Sequence, residues 1–221
     1  MFYKASHQVY RVRAFDQFDW LEHGFGTRRS ENFWPADRVA TLHQVHSDIV
    51  MRAGGSSGRI GDGDALIENT PGRLVGVKTA DCIPLLLLDP GNRAVAAVHA
   101  GWRGTVSRIA RKTVKHLEEN FSSRAEDLHV AIGPGIGKCC YEVGADVACQ
   151  FREYDQALSD LAHSAHLDLA EINRKQLIES GVPSEKIYVA GLCTLCHPDD
   201  FHSYRRDRDH AGRMLSVIGL R

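Results

Sequence analysis

The chain has 221 residues, of which 43% are hydrophobic and 25% are charged, and its formal net charge is −1 at pH 7. This composition is typical of a globular protein that buries a core, and it argues against extended disorder. A nearly neutral chain also lacks the basic excess that accompanies nucleic-acid or anionic-membrane partners, so we expect neither. The length suits a single domain, which we expect to span residues 1–221.

The N-terminus and the cysteines predict a cellular compartment. Residues 1–10 contain no continuous apolar stretch of the kind that opens a secretory signal. The longest apolar run, residues 83–88, is far shorter than the roughly 20 residues that cross a bilayer. We therefore expect a cytoplasmic protein whose six cysteines are thiols, metal ligands or catalytic groups rather than a disulfide framework.

Short apolar segments bounded by turn residues predict most of the strands. Gly, Ser, Asn, Asp and Pro mark residues 30–37, 53–64 and 89–92 as loops or turns. The last of these turns joins two apolar runs, so a hairpin is expected there. In chain order, the predicted strands are residues 8–15, one or two within 39–51, 74–79, 83–88, 94–99, 187–190 and 214–220.

Three helices are predicted from apolar spacing and from capping signals. Apolar residues recur at helical spacing across residues 105–119, which predicts an amphipathic helix. Val147, Phe151 and Tyr154 indicate a second helix. Asp168 followed by Glu171 resembles a capping box, which predicts that a third helix begins there. The class is therefore mixed α and β.

Two histidines lie three residues apart, at His43 and His46. Such residues point to opposite faces of a strand, and the neighbouring Val45, Ile49 and Val50 favour a strand here. We therefore expect that the two rings do not bind the same metal ion. Taken alone, each ring is more often structural than a ligand.

Cys82 and His99 each lie where an apolar segment meets a turn or a helix. The turn at Cys82 can present a thiolate, although a buried inert cysteine is an equally good interpretation. His99 ends an apolar strand, and the small residues around it let a ligand approach. The helix that follows offers backbone amides and Arg103 to an anion. A packing role for Trp102 is the alternative.

The C-terminal cysteines suggest several kinds of site. Cys193, Cys196 and His197 match the C-x-x-C-H pattern of covalent haem attachment, but that attachment needs an export signal. A redox dithiol or half of a zinc site stays open, although no second C-x-x-C accompanies it. Cys139 and Cys140 would complete a zinc site only through an unusual geometry.

Several strings, taken in order, resemble one protein family. The H-A-G-W-R-G string preceded by A-D-C is the most specific. The chain thus resembles the YfiH-like family, long described as multicopper polyphenol oxidase or laccase-domain proteins and also as purine nucleoside phosphorylases. The matching strings are H-G-F-G-T-R at residues 23–28, Q-V-H-S at 44–47, G-D-A-L at 63–66, T-A-D-C-I-P at 79–84, H-A-G-W-R-G at 99–104, I-G-P-G-I-G at 132–137, C-C-Y-E-V-G at 139–144, C-T at 193–194, S-Y-R-R at 203–206 and G-R at 212–213.

The resemblance implies an α+β fold, in the form of a four-layer αββα sandwich with mixed sheets. It also implies a zinc site made by His46, Cys82 and His99. The activity it implies is phosphorolysis of the purine nucleosides adenosine, inosine and methylthioadenosine, together with deamination of adenosine. Some members resemble peptidoglycan editing factors, which remove a wrong amino acid from a muropeptide precursor. The segment between Arg28 and Gln44 is shorter than is usual in the family, which points to altered specificity.

The chemistry of such a site assigns roles to particular residues. Two imidazoles and one thiolate suit zinc, whose catalytic sites keep an open fourth position. Asp81 and His43 are near the ligands in sequence, so we expect them to carry protons. Guanidinium groups bind phosphate oxygens in pairs, which makes Arg28 and Arg103 candidates for phosphate. Gln44 is a further candidate for binding substrate.

Three other functions stay open at this point. Cys82 as nucleophile with His99 as base would make a cysteine hydrolase, such as an amidase for a muropeptide precursor. A copper-dependent polyphenol oxidase matches the older family description, but the chain has no H-x-H pair of the kind that multicopper centres use. A binding protein with structural zinc would need a fourth ligand, such as Cys193 or Cys196.

Overall fold

A computed structural model of the chain describes residues 1–30, 33–154 and 164–221. No helix in this part of the chain is both long enough and apolar enough to cross a membrane. The strands are β1 (Phe2–Lys4), β2 (Tyr10–Val12), β3 (Leu21–Phe25), β4 (Val39–His43), β5 (Val50–Arg52), β6 (Gly58–Asp62), β7 (Ala65–Glu68), β8 (Leu74–Thr79), β9 (Ile83–Asp89), β10 (Ala94–Ala100), β11 (His129–Ile132), β12 (Glu142–Gly144), β13 (Ser164–His166), β14 (Ile187–Val189) and β15 (Met214–Leu220). The α-helices are α1 (Trp102–Val106), α2 (Ile109–Phe121), α3 (Ala145–Ala148), α4 (Leu169–Glu179) and α5 (Tyr204–Asp207).

Two mixed sheets form the centre of the fold. The larger has seven strands in the order β1-β2-β3-β15-β8-β4-β6, and the smaller has six in the order β14-β11-β9-β10-β7-β5. Strand β4 runs parallel to β6 and β8, and the pairs β11–β14 and β5–β7 are also parallel. The other pairs within these sheets are antiparallel. This arrangement confirms the predicted α+β class with mixed sheets.

The unbroken apolar runs of β9 and β10 are explained by burial on both faces. Leu86 and Leu88 share a core with Val75 and other side chains of the larger sheet. Leu85 and Leu87 point the other way, into a core with α2 and α4. Successive strand residues point to opposite faces, so a strand between two cores must be apolar throughout.

The opposite face of the larger sheet is covered by a loop side chain. Trp34 is only 5% exposed and packs with Val9, Val39, Leu74 and Val217. It lies within the loop predicted at residues 30–37, of which residues 31 and 32 are outside the described part of the chain.

The helix predicted over residues 105–119 is two helices, so the prediction of one continuous helix is wrong. Helix α1 ends at Val106 and α2 begins at Ile109. Between them Arg108 has φ 61°, in the left-handed region that a continuous α-helix does not enter. Apolar spacing continues across this break because both helices pack on the same core.

The other two predicted helices have different outcomes. Helix α4 begins after Asp168 as predicted, and the Asp168 carboxylate accepts the backbone N–H of Glu171 at 2.9 Å. The helix predicted from Val147, Phe151 and Tyr154 is broken within the described residues, since α3 ends at Ala148 and a 3₁₀ turn covers Cys149–Phe151. Residues 155–163 lie outside the described part of the chain.

Most of the predicted strands are confirmed, but the loop predicted over residues 53–64 is wrong in part, because it contains β6 (Gly58–Asp62), which pairs with β4. Strands β8 and β15 have the predicted bounds, β9 and β10 each extend one residue further, and their hairpin pairs Asp89 with Ala94. The first predicted strand, residues 8–15, is confirmed only for Tyr10–Val12, after which a 3₁₀ turn begins at Arg13.

Candidate metal centre

Antiparallel pairing brings three polar side chains together where three neighbouring strands of the smaller sheet, β9, β10 and β7, begin or end. His99, near the end of β10, pairs with Pro84 at the start of β9, so Cys82 just before β9 lies beside it. Strand β7 pairs with the other side of β10 and is also antiparallel to it. Asp64, just before β7, therefore lies next to His99 as well. The sheet therefore assembles residues that are far apart in sequence.

The buried carboxylate of Asp64 collects five donors. It accepts the backbone N–H groups of Val45 (3.3 Å), His46 (3.1 Å) and Ser47 (2.6 Å). It also accepts the Ser47 hydroxyl at 2.7 Å, and His99 Nδ1 lies 2.8 Å away. Burial raises the pKa of Asp64, but hydrogen bonds from His99 and Ser47 outweigh burial and lower it below its usual value. The ionised carboxylate thus holds the turn that carries His46 against the His99 ring.

Two imidazoles and one thiol meet beside this carboxylate. The possible ligand atoms of His46, Cys82 and His99 all lie within 4.8 Å of one another. Cys82 Sγ is 4.0 Å from His46 Nε2, and the two ring centroids are 4.9 Å apart. A Cβ at Gly101 would lie 3.0 Å from Cys82 Sγ and 3.2 Å from the His46 ring, so a larger residue here would crowd both side chains. His46 itself has φ 58°, which turns its side chain out of the line of β4.

The electrostatics of the group favour a thiolate. Burial raises the pKa of the Cys82 thiol, but hydrogen bonds with His46 and His99 outweigh burial and bring the pKa down to about 6. Burial also lowers the pKa of His99, while hydrogen bonds to Asp64 and Cys82 raise it to about 9. The thiolate is the form of cysteine that binds a metal ion.

His43 and Gln44 lie beside the cluster of His46, Cys82 and His99, here called the metal group or His46 group, without belonging to it. His43 ends β4, and its Nδ1 is 3.2 Å from an Asp62 carboxylate oxygen on the surface. The side-chain amide of Gln44 donates to the Lys78 carbonyl and accepts the Lys78 N–H, each at 2.7 Å. The two histidines are separated as expected, although the reason is the turn at His46 rather than alternation along a strand.

Asp81 is held by the C-terminal part of the chain. It follows β8 with φ 87°, and its carboxylate accepts the Thr194 hydroxyl at 2.6 Å, the Ser203 hydroxyl at 3.1 Å and the Arg205 N–H at 2.6 Å. These contacts fix the backbone immediately before Cys82. They also tie the metal group to the segment that supplies Arg205 to the neighbouring cavity.

The metal group forms part of the wall of a cavity of about 860 Å³. Asp81 is the one acidic residue among the described residues that line it, so the cavity is strongly cationic. Its aromatic lining residues are Trp102, Tyr141 and Tyr204, and its cationic ones, besides histidine, are Arg59, Lys78, Arg103, Arg205, Arg208 and Arg213.

The two predicted phosphate-binding arginines lie in different places. Arg103 lines the cavity and stacks over the Trp102 ring at 4.3 Å, and it has no ion-pair partner among the described residues. Arg28 is not among the described lining residues, and its guanidinium donates to the Pro198 carbonyl at 2.7 Å. Arg205, which the sequence analysis did not select for phosphate, lines the cavity and stacks over the Tyr141 ring at 5.5 Å.

Sequence reasoning also missed Asp64. It lies in the G-D-A-L string at residues 63–66 and directly before the buried strand β7, where an unpaired charge would be costly, but neither signal led to a role for it. The fourth ligand considered for a structural zinc site is not provided, since neither Cys193 nor Cys196 belongs to the His46 group.

Comparisons with known proteins agree with this architecture. A family model described as multi-copper polyphenol oxidoreductase laccase matches residues 27–221, and the chain belongs to that family. It is 46% identical over 187 residues to the purine nucleoside phosphorylase of Deinococcus radiodurans, covering 84% of this chain and 71% of that protein. It is 37% identical to adenosine deaminase RL5 from an unknown prokaryotic organism, over 70% of this chain and 61% of that protein. The crystal structure of YlmD from Geobacillus stearothermophilus matches with a TM-score of 0.90 at 28% identity, covering 100% of this chain and 98% of that chain.

Replacing Asp64 tests whether this carboxylate organises the metal group. We expect Asp64→Asn to weaken zinc binding by about 10- to 100-fold, because outer partners orient metal-binding histidines and the amide nitrogen would face N–H donors. Competition against a chelator of known affinity measures the change. Asp62→Asn, which alters the exposed carboxylate beside His43, is the matched control. Equal zinc affinity in a folded Asp64→Asn protein would contradict this role.

Proposed function

We propose that this chain is a zinc-dependent purine nucleoside phosphorylase that acts on adenosine, inosine and methylthioadenosine and also deaminates adenosine. The observation that carries the proposal is that one cavity unites the metal group with aromatic rings and guanidinium groups. A nucleoside presents a flat base, and its co-substrate phosphate is an anion, so the cavity offers a partner to each. Relatives named purine nucleoside phosphorylase and adenosine deaminase support this choice.

Zinc fits the donor set of His46, Cys82 and His99. Two imidazoles and a thiolate leave one position open, and His99 already donates from Nδ1 to a carboxylate, as metal-binding histidines commonly do. A copper site of this composition usually adds a weak methionine ligand, and no methionine is among the described residues that line the cavity. When bound, zinc supplies Lewis acidity near neutral pH.

Arg103 is the residue that we assign to phosphate. In phosphorolysis a phosphate oxygen bonds to C1′ of the ribose as the bond from C1′ to the base breaks, and the base leaves with the electron pair. A guanidinium can hold two phosphate oxygens through parallel hydrogen bonds, which positions another oxygen for attack on C1′. The guanidinium carbon lies 4.3 Å from the centre of the Trp102 ring, a cation–π contact that leaves the charge of Arg103 available to phosphate.

Tyr141 is the residue that we assign to the departing base. Burial, with the nearby charge of Cys82, raises the pKa of its hydroxyl to about 12. The hydroxyl therefore keeps its proton at neutral pH and can donate a hydrogen bond to a base nitrogen that gains electron density. The ring offers the base an aromatic face within the same cavity.

The remaining candidates divide into two roles. Asp81 accepts three hydrogen bonds from residues 194–205, which supports a positioning role in place of proton transfer. Gln44 likewise positions the backbone of Lys78. His43 is exposed at the cavity and contacts the Asp62 carboxylate, so we retain His43 as the proton carrier for deamination.

Product analysis of inosine turnover tests the function. With zinc-loaded protein we expect hypoxanthine and ribose 1-phosphate in equal amounts, and only when phosphate is present. Cys82→Ala should abolish the reaction because it removes a metal ligand, whereas Cys149→Ala, which changes a cysteine outside the metal group, should retain it. Base release that ignores phosphate, or that survives in Cys82→Ala, would contradict the proposal.

Phosphate kinetics test the assignment of Arg103. We expect Arg103→Gln to raise the phosphate KM by about 10- to 100-fold, the loss of one charge-assisted bond of about 1.5–3 kcal/mol. Arg111→Gln, on the exposed side of α2, is the matched control and should leave KM unchanged. Arg28→Gln belongs in the same series, since a raised KM in that variant alone would return the phosphate site to Arg28.

A specific observation favours a second candidate, a cysteine amidase acting on a muropeptide precursor. Cys82, His99 and Asp64 follow one another as nucleophile, base and orienting carboxylate. This function predicts a covalent acyl adduct on Cys82 when metal-free protein meets an amide or ester substrate, detectable by mass spectrometry. Such an adduct, together with no nucleoside turnover by the zinc-loaded protein, would favour the amidase.

A further inference from the structure

A second cluster of metal-ligating side chains lies outside the His46 group. The sulfurs of Cys139, Cys140, Cys193 and Cys196 all lie within 4.8 Å of one another. Cys139 and Cys140 lie in the turn between β11 and β12, and Cys193 and Cys196 in the segment between β14 and α5. Parallel pairing of β11 with β14 brings these two segments together. The proposed nucleoside chemistry uses none of the four.

The spacing of the sulfurs matches a tetrahedral cage. The Cys196 sulfur is 3.7 Å from that of Cys139 and 3.4 Å from that of Cys140. Zinc–sulfur bonds of about 2.3 Å at tetrahedral angles put thiolate sulfurs about 3.8 Å apart. A disulfide would need about 2.05 Å, and all six cysteines of the chain are free thiols.

Backbone N–H groups and a closely approaching glycine surround the four sulfurs. The Gly137 N–H donates to the Cys193 sulfur at 3.3 Å, and the N–H groups of Leu195 and Cys196 also face that sulfur. A Cβ at Gly137 would lie 3.3 Å from the Cys139 sulfur and 3.2 Å from the Cys193 Cβ. Backbone amides aimed at a sulfur stabilise negative charge on it, which is the state that a metal ligand needs.

The cluster joins two segments beside the cavity, one of which supplies the lining residues Ile136 and Tyr141. Thr194 N–H donates to the Gly135 carbonyl at 3.0 Å, and the Thr194 hydroxyl donates to Asp81 at 2.6 Å. Tyr141 follows Cys140 directly, and the segment after Cys196 carries Arg205. A metal ion bound by the four sulfurs would therefore fix the turn that carries Tyr141 and the segment that leads into α5, which carries Arg205.

We propose that Cys139, Cys140, Cys193 and Cys196 form a second metal site, which holds structural zinc and ties the loop after β11 to the segment after β14. Four thiolates fill a tetrahedral shell, so this site has no open position and stabilises the fold instead of taking part in the reaction. The open His46 group and this closed group would then bind zinc in different roles. The second site stands independently of the proposed substrate.

Zinc analysis of variant proteins tests the second site. We expect about two zinc ions per chain in wild-type protein purified without a metal-affinity tag, one in each group. Cys139→Ser with Cys196→Ser should leave about one, as should His46→Ala with Cys82→Ala, and combining all four should leave none. Cys149→Ser, whose sulfur faces the Asp146 carbonyl outside both groups, should leave both ions bound.

Two measurements keep the test valid if a serine variant does not fold. Cobalt(II) loaded into the folded His46→Ala, Cys82→Ala protein should show the intense thiolate-to-cobalt absorption of a tetrahedral all-sulfur site. Wild-type protein unfolded without reductant should present all six of its cysteines to a thiol reagent. Zinc confined to the His46 group, the absence of that absorption, or thiols missing as a disulfide would each overturn the proposal.

Discussion

The ionised carboxylate of Asp64 is the interaction on which the candidate site depends. A buried carboxylate without partners would cost several kcal/mol, so its burial is tolerated only because five donors surround it. Those donors come from the turn at His46 and from His99 on β10, so the carboxylate is satisfied only when both are in place. The contacts that satisfy the buried carboxylate therefore also bring His46 and His99 together.

The candidate metal ligands and the proposed substrate-binding side chains lie on different kinds of element. Cys82 and His99 are fixed at the ends of central strands, between two apolar cores. The three aromatic side chains of the cavity and its stacked arginines, Arg103 and Arg205, come from α1, from α5 and from the turn before β12, outside the two central sheets. The four-cysteine cluster brings together the turn that carries Tyr141 and the segment that leads into α5. The family is described as multicopper, whereas the donor set of His46, Cys82 and His99 is that of one metal ion with an open position, which supports the proposal of zinc.

Sequence patterns predicted the strands better than the site. Unbroken apolar runs located β8, β9, β10 and β15 because strands buried on both faces leave a clear signal, and strand ends pointed to Cys82 and His99. The helix break at Arg108 and the turn at His46 escaped prediction because a left-handed backbone angle at a non-glycine residue leaves no pattern in sequence. The role of Asp64 and the meeting of Cys139 with Cys196 arise from strand pairing, which spacing along the chain does not encode. Arg28 and Arg103 lie in equally good strings, and only the tertiary structure separates them.

Crystals of zinc-loaded protein with hypoxanthine and ribose 1-phosphate, measured on both sides of the zinc absorption edge, would show whether the metal ion and the substrate share one cavity. We predict an anomalous peak bonded to His46, Cys82 and His99, inside the cavity that holds the ligands, with the ribose phosphate on Arg103. No peak at these three residues, or ligands bound away from this cavity, would contradict it.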